Sequence, residues 1–214
     1  MSNANPTANM VQPSWHRCWS ALGAQGDGLA LMQKLLDAYA EPQRKYHTVQ
    51  HLSECLTLMG QHLHLAIEPG EVEMALWFHD AIYHVQARDN ELRSAEWAAA
   101  QLRAAGVVEQ RIAHITQHIL ATRHSALPQG PDQMLLVDID LSILGAPRPR
   151  FDAYERQVRE EYAWVPEALF RRKRQQVLAE FLARSPIYNT PALRAAREDQ
   201  ARDNLAHSLQ QLKF

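Results

Sequence analysis

A histidine and an aspartate stand side by side inside an otherwise apolar run, Ala75-Leu76-Trp77-Phe78-His79-Asp80-Ala81-Ile82-Tyr83. The run has helical length, and its flanks keep the helical spacing of apolar residues. A chain that buries it must also bury the imidazole and the carboxylate. Buried ionisable groups are costly unless paired, hydrogen-bonded or bound to a metal, so any fold adopted here has to bring partners to His79 and Asp80.

Nearly every other ordered segment also reads as helix. Trp15, Trp19 and Leu22 indicate a short first helix. Leu31, Leu35, Leu36 and Tyr39 share one face of a second, closed by Pro42. Tyr46 to about Ala66 carries Leu52, Cys55, Leu56 and Met59 at helical spacing. Pro69 then suits a first helical position, and the His-Asp helix runs on to about His84. Asp89 fits as N-cap of a helix ended by Gly106, and Val107 to about Thr122 follows. Met134 to Leu144 is apolar almost all round except at Asp138 and Asp140. Three more helices span about Phe151–Tyr162, Pro166–Ala183 and Pro191–Leu212. No strand alternation, glycine-rich phosphate loop or internal repeat occurs. The expectation is a disordered tail over residues 1–13, then one all-α domain over 14–214 with about nine or ten helices.

The 22 Lys and Arg nearly balance 24 Asp and Glu, which gives no general reason to expect nucleic acid or an anionic membrane as partner. No apolar run approaches the roughly 20 residues that span a bilayer, and the start of the chain lacks the basic and apolar regions of a signal peptide. The two cysteines, Cys18 and Cys55, are too few for a disulfide framework or a thiolate zinc site. A cytoplasmic location is the expectation, and a homodimer stays open.

Four polar clusters interrupt apolar helices: Tyr46-His47-Thr48-Val49-Gln50-His51, His79-Asp80, Ile115-Thr116-Gln117-His118 with His124 beyond, and Asp138-Ile139-Asp140. A helix puts His47 and His51 on one face. His79 and Asp80 diverge by about 100°, and Asp138 and Asp140 by about 200°, so only one of the latter two can face a given point. Two imidazoles and two carboxylates suit one divalent ion such as Mn, Fe, Co, Ni or Zn better than Ca, with Mg also open. Such an ion polarises a phosphoryl oxygen and acidifies bound water, supplying hydroxide to attack a phosphate ester. Each histidine taken alone reads more often as a hydrogen-bonded core residue than as a ligand.

His51, His79-Asp80 and a later aspartate resemble the H…HD…D signature of the HD superfamily of metal-dependent phosphohydrolases. That resemblance implies an all-α bundle with ligands on separate helices. Tyr46-His47-x-x-x-His51 is similar to the YHN-x-x-H element of cyclic-nucleotide phosphodiesterases, implying that His51 binds metal and His47 donates a proton to the leaving oxygen. Met134 to Ser142 resembles their segment ending in ADLS, which favours Asp140 as the fourth ligand. A rival alignment of Leu136-Val137-Asp138 keeps Asp138 open. The wider pattern is closer to small, largely uncharacterised bacterial predicted HD phosphohydrolases. It includes Asn90-Glu91-x-x-Ser94-Ala95, Arg159-x-Glu161-Tyr162 and Ala201-Arg202-x-Asn204-Leu205, and it covers about residues 15–212. Many binuclear relatives carry histidine where Asn90 stands, which argues against a full second metal site.

Glu91 reads either as a base or water-orienting group or as a carboxylate favoured by a helix N-terminus. His118, His124 and Arg159 are candidates for substrate phosphate or nucleobase, against capping or packing. His84 reads as a helix-end residue, and Arg171-Arg172-Lys173-Arg174 as a solvated face. The expected function is metal-dependent hydrolysis of a nucleotide or related small phosphorylated metabolite. The alternatives are a non-catalytic metal- or nucleotide-binding module, or a di-iron oxygenase of the same fold.

Overall fold

The computed structural model describes residues 6–124 and 126–212. Among these residues there are ten α-helices and no strand. They are α1 (Pro6–Ala21), α2 (Leu29–Tyr39), α3 (Val49–His62), α4 (Pro69–Phe78), α5 (Asn90–Ala104), α6 (Glu109–Ala121), α7 (Gly130–Asp140), α8 (Arg148–Glu161), α9 (Glu167–Ala183) and α10 (Pro191–Gln211). Short 3-10 turns, Leu63–Leu65 and Leu141–Gly145, follow α3 and α7. The all-α class and the helix number agree with the periodicity. None of these helices is long and apolar enough to cross a membrane. Packing groups the chain into two compact units, Met1–Ile139 and Asp140–Phe214.

Within the first unit α4 is buried from Gly70 to Phe78 and packs against α1, α3 and α6. This is why its sequence is apolar on every side. A Cβ at Gly70 would stand 2.7 Å from the Ala21 side chain, so only glycine permits this approach of α1 to α4. The one charge α4 buries completely, Glu73, is taken by α1: Ser14 Oγ donates to Glu73 Oε1 at 2.9 Å and Arg17 Nε to Oε2 at 2.9 Å. Trp77 Nε1 donates to the same Ser14 hydroxyl at 3.3 Å, and the Trp15 ring stands edge-on to Trp77 at 5.1 Å.

The second unit is tied by side chains that take loop carbonyls. Asn204 Nδ2 donates to Leu144 O at 2.7 Å and Ala146 O at 2.8 Å. The Tyr188 hydroxyl donates to Leu141 O and accepts from Gly145 N–H. Arg202 takes the carbonyls of Leu182 and Arg184. The Ala201-Arg202-x-Asn204-Leu205 pattern thus holds chain turns in place.

Three expectations need correction. The helix α1 starts at Pro6, so residues 6–13 are helical rather than a disordered tail. Val11 anchors this stretch at 2% exposure, with Ser14 and Trp15 beyond it. Residues 1–5 lie outside the described ones. The third helix starts at Val49, because Thr48 caps it by accepting from Gln50 N–H. The His-Asp helix ends at Phe78, about six residues early, leaving His79 and Asp80 at its C-terminal end.

Candidate metal centre

His51 lies in the first turn of α3 on its buried face, and His79 caps the C-terminus of α4. Both rings are buried, at 2% and 1% exposure. Their Nε2 atoms stand 3.1 Å apart. Asp80 Oδ2 lies 3.0 Å from His79 Nε2 and 3.6 Å from His51 Nε2, with 16% of the Asp80 side chain exposed. His79 keeps helical dihedrals (φ -55°, ψ -39°), and across the divergence of about 100° expected for helical neighbours its Nε2 and Asp80 Oδ2 still meet at 3.0 Å. Asp140 is the last residue of α7. Asp138 is fully buried and does not belong to the donor group of His51 and His79.

The tautomer of His79 follows from its backbone contact. Its Nδ1 stands 2.8 Å from Leu76 O. A carbonyl only accepts, so Nδ1 carries a hydrogen, and Nε2 is the ring atom turned toward His51 and Asp80, the one a metal would take once it holds no proton. This is the outer contact that orients metal-bound histidines. With bonds of about 2.1 Å, neighbouring donors around one cation stand about 3.0–3.5 Å apart. The spacing and the nitrogen–oxygen chemistry of the residues present therefore fit a first-row divalent ion.

Electrostatics act in the same direction. Burial alone would raise the Asp80 carboxyl. The imidazoles of His79, His47 and His51, together with the His79 hydrogen bond, outweigh it and hold Asp80 well below the usual carboxylate range.

Arg44, which sequence reasoning missed, binds the turn that follows α4. Its buried guanidinium donates from Nη1 to Asp80 O at 2.6 Å and His47 O at 3.3 Å, and from Nη2 to Ala81 O at 3.0 Å. Carbonyls at a helix end need such partners. Glu41 pairs with Nε at 3.1 Å, and the Tyr39 and Tyr83 rings flank the group at 5.3 and 5.6 Å. The Tyr39 hydroxyl in turn accepts from Asp80 N–H at 3.2 Å. The available signal was a lone arginine among aromatics, Tyr39 to Tyr46, just before Tyr46-His47.

Other candidates are distributed as follows. His47 precedes α3 and so is not on the helix, but its ring lies 6.1 Å from that of His51 and stacks on Tyr83 at 4.0 Å. Glu91, in the first turn of α5, stands 3.8 Å from Arg123. Asn90 clasps His84, its Oδ1 accepting from His84 N–H and its Nδ2 donating to His84 O, both at 3.0 Å. One turn later the Ser94 hydroxyl accepts from Ile82 N–H at 3.0 Å. The Asn90-x-x-x-Ser94 spacing thus matches alternate residues of the loop that follows Asp80. His84 is a loop residue, not a helix-end one.

His118 is buried on α6 with no hydrogen-bond partner for Nδ1. Burial foremost lowers its pKa, with Asp132 opposing and His114 assisting. His124 lies past the end of α6 with φ 53°. Arg159 is occupied at the end of α8, bonding Tyr162 O, Val165 O and Glu167 and lying 4.7 Å over Phe170. Neither His118, His124, Glu91 nor Arg159 belongs to the donor group. Of the basic run, Arg172 and Lys173 are exposed as expected, whereas Arg174 is buried against Glu155 and Tyr154. A cavity of about 320 Å³ bordered by Gln117, Gln129 and Gln133 contains none of these candidates in its wall.

No family model, no curated protein and no solved structure matches this chain.

Proposed function

We propose that this chain is a metal-dependent phosphohydrolase acting on a nucleotide or a related small phosphorylated metabolite. The observation that carries the reading is the convergence of His51 Nε2, His79 Nε2 and Asp80 Oδ2 at 3.0–3.6 Å from one another. A divalent ion (Mn, Fe, Co, Ni, Zn or Mg) held by His51, His79, Asp80 and Asp140 supplies Lewis-acid polarisation of a phosphoryl oxygen and a lowered pKa for water.

The chain's own groups then have distinct tasks. The Leu76 carbonyl keeps a hydrogen of His79 on Nδ1 and turns Nε2 toward His51 and Asp80. Asp80 stays ionised beside the His47 imidazole, which helps to lower the carboxyl's pKa. His47 delivers a proton to the leaving oxygen; its half-buried ring, stacked on Tyr83, supports the assignment. Tyr83 and Tyr46 give the site an aromatic border that suits a nucleobase. Glu91 orients water in this scheme.

Protein loaded with Mn or Co and screened against nucleotides and phosphomonoesters is expected to release phosphate or nucleoside. His79→Ala and Asp80→Ala should each abolish release, and His47→Ala should lower the rate roughly 100-fold or more. A blank screen under several metals would reject the reading.

A further inference from the structure

The connector between α2 and α3 holds an internal clamp that joins two segments of the site. Arg44 Nη1 alone bonds the backbone carbonyls of His47 and Asp80, at 3.3 and 2.6 Å, and Nη2 adds Ala81 O at 3.0 Å. The guanidinium is inaccessible, its side chain 0% exposed. Its plane is bounded by Tyr39 and Tyr83, while Glu41 supplies the countercharge at 3.1 Å. Three backbone carbonyls and one carboxylate thus converge on a rigid planar fork that lysine's single ammonium cannot reproduce.

We infer that Arg44 is a positioning residue, fixing the distance between His47 and the His79-Asp80 turn so that their side chains share one reaction space. This rests on the metal-site reading above. Arg44 touches neither ion nor substrate. It acts through backbone atoms, and Tyr39 reinforces it by accepting the Asp80 N–H. Without it, the carbonyls of Asp80 and Ala81 would turn toward other donors, and the Asp80 carboxylate would leave His79.

The test compares wild type, Arg44→Lys and Glu41→Gln as full-length protein. Helical content and melting establish the fold. Calorimetric titration with Co²⁺ gives the affinity, and the nitrogen-15 shifts of the imidazoles in metal-free protein give the tautomer of His79. Arg44→Lys is expected to stay helical, to bind Co²⁺ roughly 10- to 100-fold more weakly, and to show His79 as a mixture of tautomers where wild type shows hydrogen on Nδ1 alone. Glu41→Gln should move both readouts the same way by less, and it decides the matter if Arg44→Lys does not fold. A folded Arg44→Lys with wild-type affinity and a single His79 tautomer overturns the inference. Wild-type protein that takes up no Co²⁺ contradicts the metal reading, and the tautomer comparison then decides the role of Arg44 separately.

Discussion

His79 is held from one side by the Leu76 carbonyl at 2.8 Å and faces His51 from the other at 3.1 Å, ring nitrogen to ring nitrogen. The two histidines are 28 residues apart in sequence, and each sits at an end of its helix where the backbone is already fixed. The geometry is preorganised: the first contact sets a hydrogen on Nδ1, and the ring turns Nε2 toward the second.

Asp80 should make stability depend on acid. Its folded-state pKa lies below the unfolded value, so its ionised form adds stability above the unfolded pKa, and that stability is lost as pH falls through the folded one. Metal-free Asp80→Asn should therefore melt below wild type at neutral pH. The gap should begin to close only below about pH 4. Melting curves across acid pH check this, and a gap that is the same at every pH contradicts it.

His118 should make stability fall with pH in the same direction, but because its charged form is the costly one. Burial depresses its pKa, so the unfolded chain takes the proton first and stability falls as pH drops below about 6.5 toward the folded value. His118→Leu removes a buried nitrogen without a partner. The variant should match or exceed wild-type stability, by up to about 1–3 kcal/mol, with its advantage growing as pH falls below about 6.5. A loss of more than a kilocalorie or so at neutral pH would show that the ring has an essential contact.

The α1–α4 anchor should be asymmetric. Glu73 is fully buried and Arg17 is 40% exposed. Arg17→Ala leaves a buried carboxylate with only the Ser14 hydroxyl, a change costing about 3 kcal/mol. Glu73→Gln frees a cation that reaches water and keeps a hydrogen-bonding amide, so it should cost less, about 1 kcal/mol. Urea denaturation of the two variants ranks them, and the reverse order would refute the assignment.

Loss of the Asn90 clasp should loosen the loop after Asp80. Asn90→Ala removes two bonds to the His84 backbone and is expected to cost about 1–2 kcal/mol. Amide exchange should quicken at His84 while Ile82, bonded to Ser94, stays protected. Equal exchange at His84 in both proteins would show that the clasp holds nothing.

Much of the scaffold was readable in advance because burial writes a period of 3.6 into α2, α3 and α6. The unbroken apolar character of α4 also foretold its burial. The stop of α4 was not readable: Phe78 is followed by neither glycine nor proline, and Arg44, which holds the turn beyond it, lies 36 residues upstream of Asp80. The start of α1 was hidden because Pro6-Thr7-Ala8-Asn9 carries no helical period of large apolar residues, and the anchoring Val11 comes only five residues after Pro6. Arg159 read as a candidate for phosphate or nucleobase, against packing, and its three hydrogen-bond partners lie within eight residues downstream. An arginine in the last turn of its helix carries no local mark that separates capping from binding.

The central claim is that His51, His79 and Asp80 grasp one ion together. Its most direct measurement is the Co²⁺ content and titration of wild type beside His51→Ala, His79→Ala and Asp80→Ala, each confirmed helical. The account predicts one tightly bound ion per wild-type chain, none retained by either histidine variant, and weak or absent binding by Asp80→Ala. Wild-type protein that stays metal-free at saturating Co²⁺, or histidine variants that bind as wild type does, would contradict it.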